Sequence, residues 1–358
     1  VNNTINKFSV ISHPKNWMEY HAINQLKSLA SLPGVTQAVG LPDLHPGRVP
    51  VGVALITKGI IYPHIIGNDI GCGMGLYATG IDASKARVDR WARDLARSGV
   101  FRRSRGMLEQ GSIGGGNHFA ELQAIDTVYD TEQLSQTGIN PDELVVLVHS
   151  GSRALGQSVL KELMNDQSIF QGLKSNSKAA KTYLKNHNAA VEWAVENRFQ
   201  IARRLLSSVG KTTDPVTILD TVHNSLTVMN DWGELFYIHR KGAATANAGA
   251  VVIPGSRGAL TYLVQPTENI AASAYSLAHG AGRKWQRGVC KARLSKQYTR
   301  DELRINRYKG QVVCHDLDLL YEEAPEAYKN IDYVVQALVD AGLARVIATF
   351  KPLLTVKG

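Results

Sequence analysis

A chain of 358 residues with 44% apolar and 20% charged residues can bury a substantial core and is too apolar to be intrinsically disordered. Forty Lys and Arg against 31 Asp and Glu give a net charge of +9, which suits a polyanionic partner such as nucleic acid as well as plain solubility. No apolar run is long enough to span a membrane, VNNTINKFSV lacks the order of a secretory signal, and three cysteines without framework spacing exclude a disulfide scaffold; a cytoplasmic protein is expected, with no membrane association.

Residues 16–32 carry Trp17, Met18, Ile23, Leu26 and Leu29 at near-helical spacing and stop at Pro33-Gly34, which predicts an amphipathic helix. Two β-like runs, 36–41 and 49–57, flank the turn-rich PDLHPGRVP and leave Asp43 and His45 near a loop. Residues 60–66 then run into GNDIGCGMG, residues 67–75, where four glycines preclude a regular helix and allow a ligand or another backbone to come close. Asp69 and Cys72 stand three residues apart in it. A thiolate can bind or bridge soft or borderline divalent ions, and an aspartate suits Mn²⁺ or Mg²⁺, so the pair reads as a metal corner. A buried, inert cysteine in a tight turn is the alternative, which only distant partners can displace.

Residues 84–98 are helical in pattern and carry Arg87, Arg90, Arg93 and Arg97; with Arg102, Arg103 and Arg105 they put seven arginines in nineteen residues around Trp91. Such a run is either a solvated face or a phosphate-binding one. In GSIGGGNHFAEL a glycine run opens onto Asn117, His118 and Glu121, as in an anion-binding loop followed by ligands. No Walker pattern occurs and G-x-G-x-x-G lacks its context, which argues against a P-loop nucleotidase. ELVVLV, 143–148, predicts a buried strand that delivers His149-Ser150-Gly151-Ser152-Arg153 to a cleft.

Residues 179–208 interleave apolar positions with Lys181, Lys185, Arg198, Arg203 and Arg204, a helical scaffold with a basic outer face. His223-Asn224 sits in an aliphatic frame, 236–244 reads as a strand into a basic turn, and 249–264 as a hairpin around Pro254-Gly255-Ser256. In YSLAHGAGR, His279 precedes two glycines, and Arg283 follows four residues on. A histidine nucleophile attacking phosphate needs open access, a close backbone and a cation, and this segment supplies all three. A basic helical stretch over 290–309, an amphipathic helix over 324–343 and the β-like RVIATFKPLLTVKG complete the chain. No repeat or linker divides it, so one catalytic domain over 1–358 is expected.

Taken singly, each polar position is explained by packing or a turn. Together, Asp69, Cys72, His118, His149, His223 and His279 share glycine-rich or strand-end settings without zinc-finger spacing, the pattern of a centre assembled from several strands. GNDIGCGMG, GGGNHFAEL, HSGSRALGQ, HNSLTV, HRKGAA, IPGSRG, AHGAGRK and TVKG resemble, in order, the successive motifs of the RtcB family of RNA ligases, over nearly the whole chain.

The resemblance implies the family's own α+β fold, stacked β-sheets around a metal centre with surrounding helices. It also implies joining of RNA that ends in a 2′,3′-cyclic phosphate or 3′-phosphate to RNA with a 5′-hydroxyl, using GTP and two Mn²⁺ ions. By position, Cys72 would bridge the ions, with Asp69 and His118 on one and His149 and His223 on the other. His279 would take GMP. Asn117, Asn224 and Arg283 match contacts to phosphates or GMP, and Gly280, Ala281 and Gly282 adjoin them; Arg153 matches an arginine used for the RNA end. Glu121, Ser256, Tyr328 and Lys357 match guanosine-pocket positions, with Thr261 near a position where the family has serine.

The interval from Cys72 to Asn117 is shorter than in the family's better-known members, and Arg257 stands where an apolar residue is expected. This compactness resembles a short bacterial branch, which favours repair of cleaved tRNA or rRNA. The lysine motif K-x-[DN]-G of ATP- and NAD-dependent ligases has no counterpart. A two-metal phosphodiesterase or phosphatase acting on RNA ends without covalent GMP is the alternative reading, and a noncatalytic RNA-binding protein the third. The resemblance leaves open an activating partner such as archease.

Overall fold

The computed structural model describes residues 7–101, 109–164 and 170–358. After strand β1 (Phe8–Val10), helix α1 (Tyr20–Ala30) buries Ala22, Leu26 and Ala30, four residues apart, against β2 (Val35–His45). Strand β2 is longer than expected, and Asp43 and His45 lie on its last turn of pleat, where the register to β3 (Val51–Lys58) shifts. The run 60–66 divides into β4 (Ile60–Ile61) and the single turn α2 (Pro63–Ile66), with proline at its start.

The glycine corner then leads into β5 (Gly73–Asp82) and α3 (Val88–Ser98). Helix α3 buries Trp91 and Leu95 and leaves Arg87, Arg90, Arg93 and Arg97 exposed; Arg102, Arg103 and Arg105 lie outside the described residues. Next come β6 (Phe119–Val128), α4 (Thr131–Gln136), β7 (Glu143–Ser150), α5 (Ala154–Met164) and β8 (Leu173–Lys174). The long α6 (Lys178–Ser208) starts at Ser177, whose side chain accepts from the Ala180 amide.

Beyond it lie β9 (Val216–Val222), β10 (Asn224–Asp231), β11 (Glu234–Lys241), β12 (Ala243–Thr245), β13 (Val251–Pro254), β14 (Thr261–Pro266) and β15 (Ser276–Ala278). The expected basic helix over 290–309 is short: α7 (Arg287–Leu294) ends, and Thr299 and Glu302 cap one another to begin a separate 3-10 turn. After β16 (Gln311–Cys314) and α8 (Leu319–Glu322), the last helix α9 (Ile331–Asp340) begins later than expected, because Pro325 starts its own turn and Asn330 caps the helix. Strand β17 (Ala344–Lys357) ends the chain.

Five strands in the order β1-β2-β3-β11-β10 form one sheet. The larger sheet runs β13-β14-β17-β6-β7-β5-β9, with β16 parallel to the second half of β17. One face of the large sheet packs Leu144, Val146 and Val148 against Ile201, Leu205 and Leu206 of α6 and Trp91 and Leu95 of α3. This is a mixed α+β architecture of several sheets with helices around them, as expected. Among the described residues no helix is long and apolar enough to cross a membrane.

Register decides where the polar residues go. Gly73 pairs with both Ser150 and Val222, and Phe119 pairs with His149. The start of β5, the start of β6, the end of β7 and the end of β9 therefore share one edge of the sheet. Asp69 and Cys72, His118, His149 and His223 sit there, brought together by antiparallel pairing across more than 150 residues of chain. His223 is the single residue between β9 and β10, where the chain passes from the large sheet to the smaller one.

Candidate metal centre and active site

Gly71 turns with φ of +75°, and a Cβ there would lie 2.9 Å from both the Val191 Cα and the Ala194 Cβ of α6. The glycine corner is thus pressed onto a helix, and the turn closes with the Cys72 amide donating to the Asp69 carbonyl at 3.2 Å. The buried Cys72 Sγ lies 3.3 Å from His118 Nε2 and 3.2 Å from His149 Nε2. His149 Nε2 lies 3.2 Å from His223 Nε2, and Asp69 Oδ2 lies 3.0 Å from His118 Nε2. Two donor sets share the thiol: Asp69, Cys72 and His118, and Cys72, His149 and His223, with ligand atoms within 4.8 Å of one another in each. This is the division the sequence resemblance implies.

The electrostatics suit cations. Burial drives the imidazoles of His149 and His223 well below their usual range, so both are neutral, the form that can offer a nitrogen to a cation. His149 Nδ1 lies 3.2 Å from the Asn117 carbonyl, which can only accept; the proton therefore sits on Nδ1 and the Nε2 lone pair faces the thiol. Burial and the neighbouring Asp69 push the Cys72 thiol well up, and positive charge between the thiol and the imidazoles would oppose that rise. Burial also works against ionisation of Asp69, but His118 and Lys241 outweigh it and hold the carboxyl below its usual range. A thiol, three imidazole nitrogens and a carboxylate converging without an apolar filler fit two divalent ions of borderline character.

His279 stands beside this centre, its ring centroid 4.7 Å from that of His223. It follows β15, which pairs with β12, and the next residues are clasped from both sides: the Ala281 amide donates to the Pro254 carbonyl at 3.1 Å and the Lys329 amide to the Gly282 carbonyl at 3.0 Å. Behind the ring, His279 Nδ1 lies 2.6 Å from Oδ2 of the fully buried Asp43. A carboxylate there keeps the proton on Nδ1 and leaves the lone pair on Nε2, the form in which an imidazole can attack. Asp43 was legible only as part of a turn; its partner is 236 residues away, and no local pattern announces it. Lys329, buried, donates to the carbonyls on either side of Asp43, 3.2 Å to Pro42 and 2.7 Å to Leu44.

A cavity of about 750 Å³ opens in front of these groups. Asp69, Cys72, His149, His223 and His279 line it together with Asn117, Asn224 and the Gly280–Arg283 backbone. Glu121, Ser256, Arg257, Tyr328, Lys357 and the unforeseen Glu323 line it as well. Glu323 receives Arg283 Nη1 at 3.1 Å, Arg287 Nε at 3.0 Å and the Tyr328 hydroxyl. Burial raises the Glu121 carboxyl to about 7, against the pull of hydrogen bonds from Thr355 and Gln123 and of the Lys357 ammonium.

His118, Arg153 and Thr261 do not line the cavity. His118 holds the centre from behind, and Arg153, in the left-handed region at φ of 57°, sets Nη1 3.3 Å from His118 Nδ1. Thr261 reaches Glu121 through Gln123, whose Nε2 donates to both, at 2.8 and 2.6 Å.

Fold and centre together define an α+β protein with two thiol-sharing donor sets that could hold cations and, beside them, a carboxylate-backed histidine. The family model described as "tRNA-splicing ligase RtcB" matches residues 25–99 and 90–358, two segments that overlap in the arginine-rich helix. RNA-splicing ligase RtcB2 of Escherichia coli is 43% identical over 356 residues, covering 95% of this chain and 93% of its own. The tRNA-splicing ligases RtcB of Methanococcus maripaludis and Archaeoglobus fulgidus are 27% and 28% identical, each over 95% of this chain and 92% of theirs. Both archaeal alignments run over 446 positions, longer than this chain, so those relatives carry segments it lacks. The chain belongs to the RtcB family and is a ligase enzyme of the RtcB type.

Proposed function

We propose that this ligase joins RNA ending in a 2′,3′-cyclic phosphate or 3′-phosphate to RNA with a 5′-hydroxyl, consuming GTP at a centre of two Mn²⁺ ions. The observation that carries the reading is His279, held by Asp43 with its Nε2 free, beside two donor sets that share Cys72. A two-metal phosphodiesterase or phosphatase that attacks with activated water needs the donor sets but does not need a covalent histidine.

Asp69, Cys72 and His118 would hold one ion and Cys72, His149 and His223 the other. When bound, the ions offset phosphate charge and orient the leaving group. His279 Nε2 attacks the α-phosphorus of GTP, the bond to the bridging oxygen breaks, and pyrophosphate leaves; Asp43 stabilises the positive charge that develops on the ring. Asn117, Asn224 and Arg283 steady the phosphates. The neighbouring Gly280, Ala281 and Gly282 offer no side chain large enough to block their approach. Glu121, ionised above about pH 7, accepts from the N1–H and N2–H edge that distinguishes guanine from adenine, with Ser256, Tyr328 and Lys357 around the nucleoside and Thr261 reaching Glu121 through Gln123.

A cyclic RNA end is first hydrolysed to the 3′-phosphate. GMP then passes from His279 to that phosphate, which frees the imidazole, and the 5′-hydroxyl attacks the activated phosphorus and expels GMP. Arg153 steadies the RNA end. The chain acts as one catalytic unit, in the cytoplasm, in repair of cleaved tRNA or rRNA; its free cysteines suit a reducing compartment, and an archease-like activator is compatible with it.

The test is a joining assay with a 3′-phosphate RNA and a 5′-hydroxyl RNA, with GTP and Mn²⁺. Ligated product from the wild type and none from Cys72→Ala is expected. Dephosphorylation or cleavage without joining would favour the hydrolase.

A further inference from the structure

Arg198 is fully buried near the middle of a helix whose sequence reads as a solvated scaffold. Its Nε donates to Asp220 Oδ2 at 2.7 Å and its Nη2 to Asp220 Oδ1 at 2.5 Å, a bidentate pair. Its Nη1 donates to two carbonyls, Gly71 at 2.7 Å and Ser150 at 2.8 Å. Gly71 lies between Asp69 and Cys72, Ser150 follows His149, and Asp220 lies three residues before His223. Gly73 leaves the room this needs, since a Cβ there would sit 3.1 Å from the guanidinium carbon.

The preceding residue extends the arrangement. Asn197 Oδ1 accepts from the Gly111 amide at 2.8 Å and its Nδ2 donates to the Ser150 hydroxyl at 3.2 Å. A buried ion pair is a poor way to add stability, because desolvation offsets much of its Coulombic gain and an apolar pair of equal volume often does as well. Here every hydrogen bond that Arg198 donates goes to a segment that carries a metal-type ligand. Lysine could not reproduce this, having one point charge and no planar fork.

We propose that Arg198 is the positioning residue of the two-cation centre: a single guanidinium fixes the relative placement of the Asp69–Cys72 corner, the His149 strand end and the approach to His223. It touches neither a metal ligand atom nor the cavity, and it acts by holding the two donor sets at the spacing two ions require. The inference rests on the reading that cations bind there.

The test is Mn²⁺ binding to the full chain by titration calorimetry, beside the melting temperature of the chelated protein, for the wild type, Arg198→Lys and Asp220→Asn. Loss of an outer partner of this kind lowers metal affinity on the order of tenfold to a hundredfold. Arg198→Lys is expected to bind Mn²⁺ at least about tenfold more weakly while still folded. Asp220→Asn, which keeps the Nη1 contacts and loosens their anchor, is expected to fall between and carries the test if Arg198→Lys fails to fold. Wild-type affinity in both variants, even with a lowered melting temperature, would overturn the proposal and leave Arg198 a purely structural residue. No binding to the wild type would overturn the cation reading itself, and the proposal with it.

Discussion

At the scale of the residue, the decisive contact is the one between Asp43 and His279. A lone imidazole beside His223 could take either tautomer; with a buried carboxylate 2.6 Å from Nδ1 it presents Nε2 to the cavity. Asp43→Asn keeps the shape and removes the charge that favours the attacking ring. It is expected to slow self-guanylation by about a hundredfold or more, with the melting temperature little changed. Glu121 gives a second prediction. Its folded value of about 7 lies above the usual 4.5, so the neutral acid is favoured by folding; that contribution is complete below 4.5 and is lost as pH rises through 7. The wild type should therefore gain stability relative to Glu121→Gln on going from pH 8 to pH 5. Parallel melting curves for the two proteins at both pH values would contradict the assignment.

At the scale of the element, the glycines near the site serve packing between distant segments. Gly282, at φ of +70°, leaves no space for a Cβ against the Asp43 carbonyl. Gly282→Ala should cost roughly 1–3 kcal/mol in stability and also shift Asp43 from His279, so guanylation should fall even in the fraction that stays folded. Much at this scale is legible in sequence. The ELVVLV strand, the 249–264 hairpin and the helix over 179–208 all form close to the expected bounds, while the helix expected over 16–32 is shorter, Tyr20–Ala30, with Trp17 and Met18 before it. Helix ends set by caps are harder to read: Thr299 with Glu302, and Asn330, decide where the C-terminal helical pattern breaks. Arg198 illustrates the other limit, because a basic residue on a long helix looks solvated until its acid partner arrives from another strand.

At the scale of the whole molecule, the site is a product of strand register. The metal-type residues could be recognised from their glycine-rich and strand-end settings, and their identity as one set follows from β6, β7, β5 and β9 lying side by side with the right ends together. Asp43 and Glu323 were not legible as site residues, since one stands in a turn-like PDLHPGRVP and the other among the acidic residues before α9. Both reach the site through long-range contacts, Asp43 to His279 and Glu323 to Arg283 and Arg287, which exist only in the folded chain.

The central claim is that His279 carries the nucleotide. Protein incubated with Mn²⁺ and GTP labelled at the α-phosphate should acquire an acid-labile, alkali-stable adduct in the wild type and none in His279→Ala. A label of equal strength on the His279→Ala protein would place the covalent step elsewhere, and the absence of any label on a wild type that binds Mn²⁺ would contradict the GTP-dependent mechanism.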